Sequence, residues 1–312
     1  EFNGGGDADL LVSRGTIRRL VFRGGADDDV LQTSGGSIQE LVFYSDAGIG
    51  ILVNRTDNIS ILTFYGGDEA DMFINRGQSI GDLTFDGGLG DDVFVNSGST
   101  NSINPGTLTF DAGDGSNAMR NEGAGWADVI YTGGLGEDFL QNNGSSIGVL
   151  NYNGGTGSNA LENNASGISN IIVQGSGDDD IFANDGDSVS GIQFFGMNGK
   201  NTLVNTGANV SGIEFFGGAD SDRFVNSGFA LKDSTFQGEA GDDRFFNYGA
   251  NTENVTMFGD AGSDWWINQA AAGSSHNLRF LAGTDDGSAD VFINWAANVS
   301  DVIFEGGGGN DL

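Results

Sequence analysis

A repeat of 21 residues runs along the whole of this chain and limits the folds open to it. Each copy brings an apolar residue in front of a Gly-rich segment, and we number the copy from that residue as position 1. A unit this short cannot bury its own apolar face, so successive copies must stack. Position 1 recurs mostly in steps of 21, with one shorter and three longer steps, at Phe2, Phe22, Phe43, Phe64, Phe85, Phe110, Tyr131, Tyr152, Val173, Phe194, Phe215, Phe236, Met257, Phe280 and Phe304.

Apolar and polar residues alternate on both sides of each Gly-rich segment. Leu83 and Phe85 alternate before it, and Asp92, Phe94 and Asn96 alternate after it. This period of two indicates strands, the Gly-rich segments indicate turns, and no stretch keeps a helical period. The sequence therefore predicts an all-β parallel β-solenoid, or β-helix, of about 15 coils with 21 residues per coil. Residues 1–312 are expected to form a single solenoid segment of a longer repeat protein.

Position 12 is the most uniform position of the repeat. It shares the parity of the apolar position 10, so its side chain is predicted to point inward, where a buried amide needs hydrogen-bond partners. Stacked asparagines can supply those partners to one another, and the sequence predicts an inward asparagine ladder with a structural role. The ladder residues are Asn54, Asn75, Asn96, Asn121, Asn142, Asn163, Asn184, Asn205, Asn226, Asn247, Asn268 and Asn294.

Position 8 carries an aspartate in most copies and is also predicted to point inward, at the Gly-rich turn. Carboxylates stacked about 4.8 Å apart repel by roughly 3–4 kcal/mol per pair at an effective dielectric constant of about 20. Backbone N–H groups of the turn, raised pKa values or bound cations could offset that repulsion. Calcium fits because it takes six to eight oxygen ligands, and the turns supply carbonyls. The metal candidates with a neighbouring aspartate are Asp9, Asp29, Asp71, Asp92, Asp222, Asp243, Asp264, Asp290 and Asp311.

A metal-free interpretation of the same column stays open. Asx motifs cap Gly turns with either Asp or Asn, and Asn117, Asn159 and Asn201 stand at position 8 in three copies. Asp138 and Asp180 are flanked by these asparagines or separated by them, so we expect them to be weaker calcium ligands.

Two copies resemble the RTX nonapeptide G-G-x-G-x-D-x-U-x. Residues 87–95 and 133–141 match it completely, whereas the copies that begin at Gly238 and Gly259 are near matches. The resemblance implies a calcium-binding β-roll in which the position-8 aspartates and the turn carbonyls hold Ca²⁺ between coils. The RTX motif recurs every nine residues on both edges of a roll, whereas here it occurs once per 21 residues. We therefore expect a one-edged ladder of unequal calcium sites.

The other half of the repeat resembles the passenger repeats of autotransporters and filamentous haemagglutinins. Phe73-Ile-Asn75-Arg-Gly77 and Val95-Asn96-Ser-Gly98 carry that resemblance. Those families form surface-exposed stalks and adhesins. The two resemblances together imply an extracellular or bacterial cell-surface rod with a structural or adhesive role, stabilised by calcium.

Positions 2 and 9 are predicted to face outward, yet late copies carry aromatic and basic residues there. Such a surface fits a glycan or protein partner, and the alternative is ordinary β-propensity on strand exteriors. A metal-free stalk with this partner-binding face is the second functional hypothesis. The candidate partner surface comprises Phe195, Phe216, Arg223, Arg244, Phe258 and Trp265.

Composition excludes several other classes. Lys plus Arg number 12 and Asp plus Glu number 44, so a net charge of −32 argues against a nucleic-acid partner. The absence of cysteine removes disulfides and thiolate chemistry, and no apolar run is long enough for a transmembrane helix. No enzymatic activity is expected, because the acids are spread by the repeat and His276 is expected in a solvated loop. The weaker alternatives are a polysaccharide-active enzyme and an ice-binding array on the short column Thr63, Thr84 and Thr109.

Overall fold

The computed structural model describes residues 1–100, 103–270, 273–283 and 287–312. It shows an all-β parallel β-solenoid of about 14 turns with about 21 residues per coil, which confirms the predicted fold class. The described residues contain strands and turns and no helix. The chain divides into two compact units, Glu1–Gly155 and Thr156–Leu312.

In the first unit, the odd-numbered strands form one parallel sheet and the even-numbered strands form a second. Each coil contributes one strand to each sheet, and the Gly-rich turn leads from the odd strand to the even one. The strands are β1 Phe2–Gly5, β2 Leu10–Ser13, β3 Ile17–Gly25, β4 Asp29–Ser34, β5 Ile38–Asp46, β6 Gly50–Arg55, β7 Ile61–Gly67, β8 Met72–Asn75, β9 Asp82–Gly88, β10 Val93–Asn96, β11 Thr107–Gly113, β12 Ala118–Asn121, β13 Asp128–Gly133, β14 Phe139–Asn142 and β15 Val149–Asn153.

The second unit repeats this arrangement, with odd and even strands again in separate parallel sheets. Its strands are β16 Ala160–Asn163, β17 Asn170–Gln174, β18 Ile181–Asn184, β19 Ser190–Phe195, β20 Thr202–Asn205, β21 Ser211–Ala219, β22 Arg223–Asn226, β23 Lys232–Ala240, β24 Arg244–Asn247, β25 Glu253–Phe258, β26 Trp265–Asn268, β27 Ser275–Leu281, β28 Val291–Asn294 and β29 Val299–Glu305.

Identical positions of successive coils lie side by side, so the core consists of stacked columns. In the first unit the rings of Phe43, Phe64 and Phe85 stack at centroid distances of 4.7 and 4.8 Å. The position-10 ring of Phe94 packs edge-on against Phe85 at 5.9 Å. All four rings are fully buried, and each contributes roughly 1.5–3 kcal/mol on burial. The predicted inward columns are therefore correct.

The longer steps of the repeat do not disturb this register. Phe94 pairs with Met119 and Asn96 with Asn121, although 25 residues separate each pair. Because β10 ends at Asn96 and β11 begins at Thr107, the extra residues lie between the strands. The polar columns at both ends of the even strands consequently stay aligned.

Candidate functional site

The position-8 aspartates form a buried column just before, or at the start of, the even strands. Asp29, Asp92, Asp243 and Asp264 have no exposed surface, and Asp9 and Asp311 are only partly buried. The inward direction predicted for position 8 is confirmed. Asp71, Asp138, Asp180, Asp222 and Asp290 are also buried members of the column.

One oxygen of each carboxylate is fixed by the backbone. In the second unit, Oδ1 of Asp222, Asp243 and Asp264 accepts the N–H of position 8 in the preceding coil at 2.6, 2.7 and 2.8 Å. The same bond recurs in the first unit at 2.7 to 3.0 Å, from Asp9 to Asp29, Asp71 to Asp92, Asp92 to Asn117 and Asn117 to Asp138. Position 8 therefore anchors one coil to the next with or without a metal.

The second oxygen is the unusual one. Oδ2 of Asp71 accepts the N–H of Gly67 at 2.8 Å, and Oδ2 of Asp180 accepts that of Ser176 at 2.9 Å. In five other members Oδ2 is buried and accepts no hydrogen bond from any described residue. A buried acceptor without a partner costs about 1–3 kcal/mol, and more if it is charged. These members are Asp29, Asp92, Asp222, Asp243 and Asp264.

The three coils with asparagine at position 8 reveal what surrounds this second atom. Nδ2 of Asn117, Asn159 and Asn201 donates to the carbonyl of position 6 in its own turn, at 3.2, 2.7 and 3.1 Å. Oδ1 of Asn117 and Asn201 accepts the same N–H that Oδ1 accepts in the aspartate coils, so Oδ2 of an aspartate corresponds to this Nδ2. Where Oδ2 accepts no N–H of its own turn, it would leave two acceptors side by side unless a proton or a cation lies between them.

In the coil where position 8 is Gly50, Ser45 supplies the donor that the asparagines supply elsewhere. Its Oγ donates to the position-6 carbonyl of Gly48 at 2.7 Å. A Cβ added to Gly50 would collide with the Ser45 side chain, so the two positions are exchanged. Every coil without an aspartate at position 8 thus places a hydrogen-bond donor on this carbonyl. Ser45 was not among the predicted site residues, although a serine at position 3 coincides with the one glycine at position 8 in the sequence.

Glycine at position 3 makes room for the carboxylate. A Cβ on Gly217 would collide with Oδ2 of Asp222, and one on Gly238 would collide with Oδ2 of Asp243. The same Cβ atoms would lie 2.8 Å from the carbonyl oxygens of Gly238 and Gly259 in the following coils. In these two coils the second carboxylate oxygen and one backbone carbonyl oxygen of the following coil therefore border the same small space.

Burial shifts the protonation equilibrium of the column. Desolvation raises the pKa of Asp92, Asp222, Asp243 and Asp264 to about 7, against hydrogen bonds from the preceding coil, which lower it. Neighbouring carboxylates add to the rise, as Asp222 does for the pKa of Asp243. Desolvation also raises the pKa of Asp29 and Asp71. The column therefore holds its negative charge at a free-energy cost.

The donor set of the column is made of oxygen atoms only. No three His, Cys, Asp or Glu side chains converge into a metal-binding group within the described parts of the chain. A cation held here would combine one carboxylate oxygen per coil with carbonyls of the Gly-rich turns. Hard cations such as Ca²⁺ accept that ligand type. The unpartnered Oδ2 atoms are therefore the part of the column that fits a cation.

The predicted partner surface is divided between two sheets. Phe195, Phe216 and Phe258 are half-buried on the odd strands β19, β21 and β25, where Phe195 and Phe216 stack at 5.2 Å. The other three members lie on even strands in register with one another and are exposed, namely Arg223 on β22, Arg244 on β24 and Trp265 on β26.

His276 was predicted to lie in a solvated loop, and that prediction is wrong. His276 belongs to β27 and pairs in register with Glu253 of β25, whose carboxylate lies 3.0 Å from its Nε2. The extra residues of this coil fall between Asn268 and Ser275, before the strand begins. Glu253 also binds Lys232 at 2.9 Å, so Lys232, Glu253 and His276 form a polar row across three neighbouring strands.

Comparison of the chain with protein-family models, with curated proteins and with solved structures finds no match in any of the three. The RTX and autotransporter resemblances therefore rest on the motif residues alone. Among the described residues, none forms a helix with the length and hydrophobicity needed to span a membrane.

Proposed function

We propose that this chain is a structural repeat rod of the extracellular space or bacterial cell surface, and that its position-8 column binds Ca²⁺ between turns. The observation that carries the calcium proposal is the set of buried Oδ2 atoms without hydrogen-bond partners, among them Asp222, Asp243 and Asp264. An ionised carboxylate oxygen in this position needs a positive partner, and near Asp222 and Asp243 a backbone carbonyl oxygen borders the same space and could join a calcium shell.

Calcium would couple folding of the rod to its location. Where free calcium is scarce, carboxylate repulsion would keep the coils loose, as suits a chain awaiting export. Where calcium is abundant, each bound ion would stabilise the folded coils by RT ln(1 + [Ca²⁺]/Kd). Asp29, Asp92, Asp222, Asp243 and Asp264 would hold the ions through Oδ2, while Oδ1 continues to bind the preceding coil.

A metal-free rod is the second candidate, and a specific observation favours it. Nδ2 of Asn201 and Oγ of Ser45 place a hydrogen on the position-6 carbonyl. A protonated aspartate would place its carboxyl hydrogen on the same carbonyl. In that case the carboxyl protons would satisfy the position-6 carbonyls, and the rod would need no metal.

Thermal unfolding at pH 8, followed by circular dichroism, separates the two candidates. The calcium proposal predicts a higher Tm in millimolar Ca²⁺ than in EDTA or Mg²⁺, and a smaller rise for Asp243→Asn and Asp264→Asn. Asp233→Asn is the matched control, because Asp233 is exposed and lies outside the column. An equal Tm in EDTA and Ca²⁺ would reject calcium and leave the metal-free rod.

A further inference from the structure

The outward face of the even strands in the second unit carries a concentration of basic and aromatic side chains. Thr202, Arg223, Arg244 and Trp265 occupy position 9 of successive strands and pair in register. In the first unit the same position is apolar, at Leu10, Val30, Ile51, Met72 and Val93. We call the group formed by Lys200, Arg223, Arg244, Phe246 and Trp265 the basic–aromatic patch.

The two arginines of this patch are adjacent and unneutralised. Arg223 and Arg244 are direct neighbours across parallel strands, an arrangement in which like charges destabilise a sheet. Within the described residues, no carboxylate lies within ion-pair distance of either guanidinium. Elsewhere the chain pairs its cross-strand cations, as Arg19 with Glu40 at 2.9 Å. An anion bound between the two guanidinium groups would remove this repulsion.

The nearby acids do not perform that task. Asp222 is buried in the position-8 column. The exposed Asp242 lines the same groove as the arginines and keeps its charge, but it forms no ion pair with either guanidinium, and its Oδ1 accepts the N–H of Ser263 at 2.9 Å. The charge of Lys200 lies on the same side and adds to the positive field. Three cations face one exposed carboxylate in this groove, so it is locally basic in a chain with 44 acidic residues.

Aromatic surface lies directly beside the arginines. The guanidinium of Arg223 lies over the ring of Phe246, 5.5 Å from its centroid, and Trp265 is 43 % exposed next to Arg244. A groove of about 340 Å³ is lined by Arg244, Phe246, Trp265 and Ile267. A second groove, of about 360 Å³, shares Arg244 and includes Lys200 and Arg223. A ligand that follows this face meets an apolar ring and then positive charges.

That order of contacts selects a class of ligand. A flat indole offers its face to the C–H surface of a sugar ring, and guanidinium groups bind carboxylates with two parallel hydrogen bonds. The strand backbone is already paired within the sheet, so recognition depends on projecting side chains rather than on addition of a peptide strand. The net charge of −32 disfavours densely charged polymers such as nucleic acids.

We propose that the basic–aromatic patch binds a carboxylated oligosaccharide, with Arg223 and Arg244 on its carboxylates and Trp265 stacked on a sugar ring. The sugar site needs folded coils but no bound calcium ion, because the patch faces outward and the aspartates face inward. Thermal unfolding tests the calcium column, and sugar binding to folded protein tests the patch, so the two proposals can be rejected separately.

Isothermal titration calorimetry in millimolar Ca²⁺ tests the proposal with two oligosaccharides of equal length, on protein and variants that circular dichroism shows to be folded under the titration conditions. Hyaluronan hexasaccharide carries a carboxylate on every second sugar, and the hexamer of N-acetylglucosamine carries none. We expect hyaluronan to bind at least tenfold more tightly. Arg244→Gln and Trp265→Ala should each weaken hyaluronan binding about tenfold, the loss expected for one charge-assisted contact or one stacked ring.

Arg120→Gln is the matched control, because Arg120 is an exposed outward arginine on the even strand β12 of the first unit and is paired with Glu122. It should leave hyaluronan binding unchanged. The proposal is overturned by equal affinity for the neutral and acidic sugars, by undiminished binding to Arg244→Gln, or by no binding of hyaluronan at millimolar concentration. Tighter binding of hexaglutamate than of hyaluronan would overturn it in favour of an acidic peptide.

Discussion

The two ends of each even strand carry inward polar columns that differ in one respect. At position 12, Nδ2 of Asn226 donates to Oδ1 of Asn247 at 2.7 Å, and its own Oδ1 accepts from Asn205 at 2.9 Å. The same amide exchanges two further bonds with the backbone of Gly228. At position 8, by contrast, Asp243 uses Oδ1 and leaves Oδ2 unpartnered.

The difference lies in the number of donors. An amide has two N–H donors and one carbonyl, so a column of amides can satisfy itself without any further group. A carboxylate has only acceptors, so a column of carboxylates keeps unsatisfied acceptors unless protons or cations bind to it. The asparagine column therefore supports the fold unaided, whereas the aspartate column makes the fold sensitive to its surroundings.

We expect the largest difference between the two columns when the free energy of unfolding is measured against pH in EDTA. The pKa of Asp92, Asp222, Asp243 and Asp264 is about 7 in the folded chain, above the usual unfolded value near 3.9. The folded state then binds more protons, so the stability contributed by these carboxyls is present below about pH 4 and is lost as pH rises through about 7. One such group gives a slope of at most about −1.4 kcal/mol per pH unit.

Urea unfolding between pH 5 and pH 8 measures this slope. Asp243→Asn should reduce it, because the amide supplies its donor at every pH, and the exposed variant Asp233→Asn should leave it unchanged. A stability that stays constant or rises across this interval in EDTA would show that the column does not titrate as its burial indicates.

The sequence was sufficient to predict most of the fold. The 21-residue period, the alternation around Phe85 and Phe94, and the asparagine column could all be recognised, because each recurs in most coils and stacking turns a repeated position into a contact. The inward direction of the aspartates followed from the parity they share with position 10.

The roles of the two carboxylate oxygens could not be predicted in this way. Which oxygen faces the position-6 carbonyl depends on the path of the turn and on the clearance above Gly217 or Gly238. The exchange of Ser45 with Gly50 depends on the same clearance. Sequence parity also could not show that Phe216 and Arg223 lie on different sheets. Parity holds only within one strand, and a turn separates strand β21 from strand β22.

The next largest change in the free energy of unfolding is expected when an amide in one column and a carboxylate in the other are each replaced by the opposite group. Asn226→Asp keeps the acceptor but removes both donors, leaving a carboxylate oxygen against Oδ1 of Asn247 and the carbonyl of Gly228. We expect a loss of about 3–5 kcal/mol in the free energy of unfolding at pH 8 in EDTA. Asp243→Asn is the reverse exchange and should stabilise the chain under the same conditions. Urea unfolding that gives both substitutions the same sign would refute the donor-count explanation.

The smallest predicted effect concerns the exchange seen at Ser45 and Gly50. Gly238→Ser alone places a side chain against Oδ2 of Asp243 and should cost about 1–3 kcal/mol. Combined with Asp243→Gly, the new hydroxyl can donate to the position-6 carbonyl of its turn, as Ser45 does to Gly48. A double-mutant cycle by urea unfolding should then give a favourable coupling of at least about 1 kcal/mol.

Gly175→Ser with Asp243→Gly is the control pair for that cycle. Gly175 lies against Asp180 rather than Asp243, so its effect should simply add to that of Asp243→Gly. If the Gly238 and Gly175 pairs were equally additive, positions 3 and 8 would be energetically independent. The hydroxyl of Ser45 would then be no substitute for a carboxyl, and the position-6 carbonyl would not be the group that the aspartate column has to satisfy.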